Sequence, residues 1–351
     1  MDADFEIDGR KVGPEEPVYV VAELSANHGQ NYDRARDSVK AAAEAGADAV
    51  KLQTYTADTL TIDCDRPEFH IGSGTIWDGR TLYNLYEEAF TPWEWQPELR
   101  KYALDLGIGC FTSPFDIGAV EFLEANGFPA YKIASFEIVD LPLINCVSKT
   151  DKPVIISTGM STLEEIQEAF DVIAMSGGKR LAFLKCTSAY PSPPEEMNLR
   201  TIPDLSSRFG VQVGLSDHTL GSTTAIAAVA MGATILEKHF TLSRALGGPD
   251  SKFSLEPGEF KKMVEEIRAV EQAMGTVKYS ISDTEQSAVR FRRSLFAVKD
   301  IKAGEVLTDQ NIRSIRPADG MHTRYLQEVI GRTAKVDIMK GMPLNWSLIA
   351  D

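Results

Sequence analysis

The chain has 351 residues and 43% of them are hydrophobic, which allows a sizeable core and excludes a globally disordered protein. Its net charge of −15 is opposite in sign to that of a general nucleic-acid binder or a protein of acidic membrane surfaces. The four cysteines show no CxxC spacing, the longest apolar stretch (223–236) is too short to span a membrane, and no signal peptide is visible, so we expect a cytoplasmic protein.

The first predicted element is a small hairpin over residues 5–12, with an Asp8-Gly9 turn. Eight short apolar, β-branched runs follow, with helical patterns between them. The runs cover residues 18–24, 48–54, 107–113, 130–135, 153–158, 181–188, 211–217 and 233–240. Apolar strands that alternate with helices are typical of a buried parallel sheet. Eight such units over about 250 residues favour a (β/α)₈ TIM barrel over the alternative, an open doubly wound sheet.

Capping and stop signals mark several of the predicted helices. The first helix runs from Tyr32 to Ala45, before Gly46. A later helix, Ser161–Met175, opens with Ser161 and Glu164 at the spacing of a capping box. The crossover 55–93 is unusually long and follows a strand end, on the face where barrel active sites form. Loops of this length usually serve function or carry their own structure.

The character of the sequence changes in its last quarter. A charged amphipathic helix from Pro257 to about Met274 completes the predicted barrel domain, residues 1–275. Residues 276–289 are polar and are predicted to be a linker to a small domain, residues 290–351. In that domain DIKAGEVL (300–307) is echoed by DIMKGMPL (337–344), which indicates a compact, pseudo-symmetric fold.

Polar side chains stand at the ends of all eight predicted strands. In a barrel the C-terminal strand ends face the ligand, whereas mid-strand residues fill the core. The strand-end residues are Glu23; Lys51 and Gln53; Thr112 and Ser113; Lys132, Ser135 and Glu137; Ser157 and Thr158; Lys185, Thr187 and Ser188; Ser216, Asp217 and His218; and Glu237, Lys238 and His239.

The two histidines of this set, His218 and His239, end strands seven and eight. Neighbouring strands lie ~4.8 Å apart, so two imidazoles at matching heights can share one metal ion. With oxygen co-ligands the pair suits Mn²⁺, Co²⁺, Fe²⁺ or Zn²⁺ better than Mg²⁺. The alternative is two ordinary polar histidines at the rim.

Lys51 and Lys132 lie inside apolar strands, where lysine is rare unless it is paired. We favour their convergence on a phosphate or carboxylate, with hydroxyl donors from Ser135, Ser157, Ser188 and Ser216 around the same mouth. The alternative is ion pairing with Glu23, Glu137 or Glu237. Burial can also depress a lysine pKa enough for Schiff-base chemistry. Glu23 is the candidate general base.

Eight segments, in chain order, resemble the sialic acid synthase family. They are AELSANHGQ (22–30), VKLQT (50–54), YKIASFE (131–137), STGMST (157–162), KCTSAYP (185–191), GLSDHT (214–219), EKHF (237–240) and GGPDSKFSL (247–255). The C-terminal stretch resembles that family's antifreeze-like (SAF) domain. GTIWDG (74–79), LYNLYEEAFTPWEW (82–95) and DSKFSL (250–255) are most similar to its pseudaminic acid synthase branch.

The resemblance implies a role for individual residues. His218 and His239 match two metal ligands, with Mn²⁺ expected and Mg²⁺ or Co²⁺ as alternatives, and Glu23 matches a general acid/base. The positions that match phosphoenolpyruvate binding are Lys51, Ser113, Lys132, Ser135, Ser157, Ser188 and Ser216. Gln53, Tyr190 and Asp250 match positions near the sugar. Arg316 matches an arginine that enters the neighbouring subunit's site, which implies a domain-swapped homodimer. Ser188 departs from the Asn of sialic acid enzymes.

The resemblance also implies a reaction. Its pseudaminic acid branch condenses phosphoenolpyruvate with 2,4-diacetamido-2,4,6-trideoxy-altrose and water, giving pseudaminic acid and phosphate. An N-acetylneuraminate or legionaminate synthase, which uses a different amino-sugar aldehyde, is the first alternative. A Schiff-base pyruvate aldolase with Lys132 or Lys185 as nucleophile is the second. A non-catalytic sugar- or ice-binding protein would leave the strand-end Lys, Glu and His residues unexplained.

Overall fold

Eight parallel strands form a closed barrel in the computed structural model, which describes residues 1, 4–72 and 77–350. They follow a two-stranded hairpin of β1 (Phe5–Ile7) and β2 (Arg10–Val12). The barrel strands are β3 (Tyr19–Glu23), β4 (Ala49–Thr54), β5 (Gly109–Pro114), β6 (Tyr131–Ile133), β7 (Val154–Ser157), β8 (Leu181–Cys186), β9 (Gln212–Asp217) and β10 (Ile235–His239). Each lies within two residues of its predicted bounds, and β10 closes the barrel by pairing with β3. The predicted TIM barrel is confirmed.

Helices cover the outside of the barrel. The α-helices between β3 and residue 275 are α1 (Tyr32–Glu44), α2 (Ala57–Leu60), α3 (Leu82–Ala89), α4 (Gln96–Asp105), α5 (Ile117–Ala125), α6 (Leu141–Ser148), α7 (Leu163–Met175), α8 (Thr201–Phe209), α9 (Thr223–Ala230) and α10 (Pro257–Met274). The predicted capping box of α7 was wrong by one residue. Thr162 accepts from the Glu165 amide and Glu165 from the Thr162 amide, because Ser161 bonds the Gly159 carbonyl instead. No helix among the described residues is long and apolar enough to cross a membrane.

Side chains alternate along each strand between the helices and the barrel interior. On β3, Val20 and Ala22 join the large apolar cluster beneath the helices, whereas Tyr19 and Val21 join the inner cluster. The same alternation turns Glu23, two residues after Val21, toward the interior at the strand end. The inner positions therefore change from apolar to polar along the strands, which places a polar mouth above an apolar floor.

The N-terminal hairpin packs on this apolar floor. Phe5 and Ile7 belong to the inner cluster. Asp8, in the hairpin turn, accepts two bonds of 3.0 Å from the Arg100 guanidinium and a third of 3.1 Å from the Cys110 amide. The hairpin thus closes the end of the barrel opposite the polar mouth.

The loops around the mouth are tied to one another. The long crossover contains α2, α3 and a bridge between His70 and Thr81. The His28 ring, in the first loop, lies 3.0 Å from the Thr91 hydroxyl at the end of that crossover. Asn27 donates to the Phe240 carbonyl at 2.8 Å, in the loop after β10. These bonds fix the first loop against the second and the eighth.

The chain divides into two compact units, Met1–Gly275 and Thr276–Asp351. The second contains α11 (Asp283–Gln286), α12 (Leu326–Val329) and a sheet of β11 (Ser294–Ala297), β12 (Ile312–Ile315) and β13 (Met321–His322). Helix α11 lies inside the stretch predicted to be a linker. The sequence echo is visible as reciprocal hydrogen bonds: Asp337 accepts from the Ala303 amide and Asp300 from the Lys340 amide. Ile301 and Ile338 exchange both backbone bonds at 2.8 Å.

Candidate active site

Two carboxylates and two lysines meet at the polar mouth of the barrel. Lys51 Nζ lies 2.9 Å from Glu23 Oε2 and 3.3 Å from Glu237 Oε1. Lys132 Nζ lies 3.7 Å from Glu237 Oε2 and donates to Ser157 Oγ at 2.6 Å. All four charged groups are at most 4% exposed. Such a cluster is stable only because opposite charges alternate within it.

The two carboxyl groups differ in acidity. Burial raises the pKa of Glu23; Lys51 opposes this shift and Glu237 adds to it. Burial acts on Glu237 as well, but Lys132 and Lys51 outweigh it and hold the pKa of that carboxyl below its ordinary value. Neighbouring carboxyls with pKa values moved apart are typical of acid/base sites. Glu23 is therefore the group suited to proton transfer.

A hydrogen-bonded path leads from Glu23 across the mouth. Gln53 Nε2 donates to Glu23 Oε1 at 2.8 Å and to Ser25 Oγ at 3.2 Å. Ser25 Oγ donates in turn to Asp250 Oδ2. Asp250 Oδ2 lies 4.0 Å from His239 Nδ1, beyond hydrogen-bond distance, so the hydrogen-bonded path ends at Asp250, next to His239.

The His218 and His239 rings lie side by side, with centroids 5.2 Å apart. Two aromatic rings enclose them: Tyr190 lies 4.5 Å from His218 and Phe253 lies 4.8 Å from His239, centroid to centroid. Both imidazoles are buried. The sequence prediction that the two imidazoles stand together thus agrees with their placement.

The surroundings of the two imidazoles indicate which ring nitrogens could bind a metal ion. His218 Nδ1 lies 3.1 Å from the Thr187 carbonyl, an acceptor, so Nδ1 carries a proton and Nε2 is the candidate ligand atom. Burial lowers the pKa of His218, but Cys186 and the Thr187 carbonyl outweigh it and raise that pKa, so a metal ion at Nε2 competes with a proton. Burial holds the pKa of His239 well below its ordinary value, which leaves that ring neutral. Its Nδ1 is buried and has no hydrogen-bond partner among the residues described. The two imidazoles are therefore candidate ligands for a divalent metal ion.

A serine-lined cradle lies beside Lys132. The Gly159 amide donates to Ser135 Oγ at 3.1 Å. A Cβ at Gly159 would come within 2.3 Å of Ser188 Oγ and 2.7 Å of Ser135 Oγ. Glycine is therefore required for these two hydroxyls to approach the backbone. Hydroxyl and amide donors next to a buried lysine form a site suited to an anion.

Comparison with known proteins assigns the chain to a family. The NeuB family model matches residues 38–279, more than half of the chain. The chain belongs to the NeuB family. The model of the SAF domain matches residues 292–350, in the second unit. The predicted resemblance of both parts is confirmed.

Members of the NeuB family and their structures resemble this chain over most of its length. It is 46% identical over 330 residues to the pseudaminic acid synthase of Campylobacter jejuni subsp. jejuni serotype O:23/36 (strain 81-176), covering 94% of this chain and 96% of that protein. It is 36% identical over 319 residues to the N,N'-diacetyllegionaminic acid synthase of C. jejuni subsp. jejuni serotype O:2, covering 90% and 95%. The structure of N-acetylneuraminic acid (sialic acid) synthetase from Leptospira borgpetersenii serovar Hardjo-bovis in complex with citrate matches with a TM-score of 0.73, at 29% identity over 82% of this chain and 96% of that one.

The predicted site residues of this NeuB family chain fall into two groups. Those of the barrel make the contacts described above, and two more join the lysine–glutamate cluster: Lys51 donates to Ser113 Oγ at 3.3 Å, and Ser216 donates to Glu237 at 3.2 Å. Arg316 belongs to the second unit, Thr276–Asp351. Of the GTIWDG motif, residues 74–76 lie outside the described residues.

Three residues of the site were not among those selected from the sequence. Glu237 was considered only as a partner for lysine, although its position two residues before His239 on β10 puts both side chains on the same face. Ser25 has a positive φ of 44°, a strained conformation that strand patterns do not reveal. Gly159 has no functional group that a sequence pattern could identify, and its importance follows only from the packing of Ser135 and Ser188 against it.

Proposed function

We propose that the chain is a pseudaminic acid synthase. It condenses phosphoenolpyruvate with 2,4-diacetamido-2,4,6-trideoxy-altrose and water to give pseudaminic acid and phosphate. The observation that carries the proposal is the convergence of Glu23, the two lysines and the two imidazoles at one barrel mouth. The higher identity to a pseudaminic acid synthase than to a legionaminic acid synthase supports this sugar over the alternative. Four free cysteines support a cytoplasmic location.

Phosphoenolpyruvate binds between the two lysines and the serine cradle. Lys132 makes only a 3.7 Å contact with Glu237, and burial lowers its pKa, so an arriving anion stabilises its charged form. Ser135, Ser157 and Ser188 supply hydroxyl donors next to it. The ion pairs with glutamate and the binding of an anion are thus compatible, because each lysine has more than one N–H to donate.

A divalent metal ion, Mn²⁺ or alternatively Mg²⁺ or Co²⁺, is held by His218 and His239. When bound, it supplies Lewis-acid polarisation of the sugar aldehyde. Asp250 and Gln53 hold the polar groups of the sugar, and the Tyr190 ring covers its apolar side. Holding the two reactants in contact supplies much of the rate gain, ~7–11 kcal/mol in favourable cases.

Glu23 moves the protons of the reaction. The C3 carbon of phosphoenolpyruvate attacks the aldehyde carbon, and protonated Glu23 gives its proton to the aldehyde oxygen. Water then adds to C2, and the Glu23 carboxylate takes a proton from it. In the tetrahedral intermediate the bond between C2 and the phosphate oxygen breaks, the C2 hydroxyl gives its proton to the departing phosphate, and C2 becomes a ketone. Lys51 lies 2.9 Å from Glu23 and stabilises the carboxylate form between the two transfers.

The test is a phosphate-release assay with phosphoenolpyruvate and each precursor sugar of pseudaminic, legionaminic and N-acetylneuraminic acid, with the product mass measured. We expect phosphate release and a nonulosonic acid of the pseudaminate mass from the altrose-configured sugar. Faster turnover of either other sugar would reassign the substrate. A borohydride-trapped adduct with free pyruvate would replace the proposal with the Schiff-base aldolase.

Gly159→Ala is expected to weaken phosphoenolpyruvate binding with little loss of stability. The added methyl displaces the Ser135 and Ser188 hydroxyls, which rotate away at small cost, and each lost bond to a charged group costs about 1.5–3 kcal/mol. We expect KM for phosphoenolpyruvate to rise at least about 10-fold. Gly258→Ala, where a Cβ meets nothing within 4 Å, is the control. An unchanged KM in Gly159→Ala would contradict the cradle.

The second unit completes the site of a neighbouring subunit in a homodimer. The charges support this arrangement: residues 276–351 carry 12 Lys and Arg against 9 Asp and Glu, whereas residues 1–275 carry 24 against 42. Exposed apolar side chains on the loops after β6 and β7, Phe136, Val139 and Met160, supply a surface for association.

Arg316→Ala is accordingly expected to lower turnover by at least about 100-fold, because a charged group that contacts bound substrate is lost. Mixed with an inactive barrel variant such as Glu23→Gln, it should regain activity in heterodimers that carry one intact combined site. Arg313→Ala, from the same strand region, is the control. If mixing with an inactive barrel variant does not restore the activity of Arg316→Ala, Arg316 is not exchanged between subunits.

A further inference from the structure

A buried ion pair lies behind the two imidazoles, on the side of the strands that faces the helices. Lys238 Nζ lies 2.8 Å from Asp217 Oδ2, and both side chains are fully inaccessible to solvent. The two residues are direct partners in the register between β9 and β10. Each immediately precedes a histidine, Asp217 before His218 and Lys238 before His239.

The Asp217–Lys238 ion pair lies in an otherwise apolar layer. The outward positions below it on the same strands are Val213, Leu215 and Leu236, all members of the apolar cluster beneath the helices. The free-energy cost of removing two charges from water offsets much of their mutual attraction, so a buried ion pair adds little to the stability of the fold. Its retention in an apolar layer calls for another explanation.

The pair extends into a network that surrounds the His218 backbone. Asp217 Oδ1 accepts from the Thr219 amide at 2.9 Å and the Thr219 hydroxyl at 2.8 Å. Asp217 Oδ2 also accepts from the Thr224 hydroxyl at 2.9 Å, at the start of α9. Lys238 donates to the Thr219 carbonyl. The residues on both sides of His218 are therefore held to the residue that precedes His239.

We propose that the Asp217–Lys238 pair is a positioning device that fixes the distance between the His218 and His239 imidazoles and thereby sets the affinity of the metal site. The inference rests on the proposed function, because it takes the two histidines as metal ligands. Neither charged side chain points into the mouth, so the pair acts on the ligands through the backbone. Removal of a residue that orients a metal ligand without contacting the metal ion typically lowers the metal affinity by about 10–100-fold.

The test is the double variant Asp217→Asn/Lys238→Met, which removes both charges and keeps the side-chain volumes. Mn²⁺ binding to the full-length, metal-free protein is measured by calorimetry, and the melting temperature is measured alongside. We expect the Mn²⁺ dissociation constant to rise about 10–100-fold while the protein remains folded. If this variant does not fold, Asp217→Leu/Lys238→Met supplies an apolar pair at the same place, and the same rise is expected.

The matched control is Asp8→Asn/Arg100→Met, which removes an ion pair at the closed end of the barrel. It should lower the melting temperature and leave Mn²⁺ affinity unchanged. An Asp217/Lys238 double variant that folds and binds Mn²⁺ as tightly as wild type would overturn the positioning role, with the metal site intact. If wild type and a His218→Ala variant bind Mn²⁺ equally, both the metal site and the positioning role are wrong.

Discussion

Glu23→Gln is expected to lower kcat by about 10²–10⁴-fold, the usual contribution of a general acid/base. Glutamine has nearly the same size and can keep contacts with Lys51 and Gln53, but it can neither give nor take the proton. Glutamine is neutral, as is the protonated Glu23 with which the proposed reaction begins, so phosphoenolpyruvate should bind at least as tightly as in wild type. Steady-state kinetics and calorimetric titration with phosphoenolpyruvate measure the two effects.

The control for this substitution is Glu44→Gln, which removes an exposed carboxylate at the end of α1 and should leave both quantities unchanged. Thermal melting establishes whether Glu23→Gln is folded. Turnover within about tenfold of wild type in a folded Glu23→Gln protein would remove Glu23 from proton transfer.

Removal of the proposed metal ion is the second change with a large expected effect. Treatment with EDTA should lower turnover by at least about 100-fold, because Lewis-acid stabilisation is worth several kcal/mol, and Mn²⁺ should restore it. His218→Ala and His239→Ala should each abolish that restoration. The measurements are turnover and bound metal per chain before and after treatment.

Two other histidines provide matched controls for this experiment. His70 and His322 are not among the residues proposed as metal ligands, and their replacement by alanine should leave metal content and EDTA sensitivity unchanged. Full activity after complete removal of metal would rule out the role proposed for His218 and His239.

Much of the fold and the site was predictable because one rule governs both. Period-two alternation identifies the inner face of a strand, and the closed barrel brings all eight strand ends to one mouth. Glu23, Lys51, Lys132 and His239 lie on such inner faces, so their convergence follows from their position in the strands. His218 directly follows β9 and keeps the same alternation.

The remaining features depend on contacts that no local pattern contains. The 2.3 Å approach that a Cβ at Gly159 would make to Ser188 Oγ arises between the loops that follow two different strands. Ser25 owes its position to Asp250, 225 residues away. The capping box of α7 begins at Thr162 because Ser161 has a competing partner, a choice that spacing alone cannot decide.

The reciprocal bonds of Asp300 and Asp337 in the small domain have a consequence for fragments of this chain. Each half supplies the acceptor that the opposite half needs, so neither is complete by itself. A peptide of either half alone would meet this need only by pairing with a second copy of itself. If the small domain is cut between Asp300 and Asp337, each fragment should therefore associate with copies of itself. Adding the other fragment should dissociate these self-associated fragments.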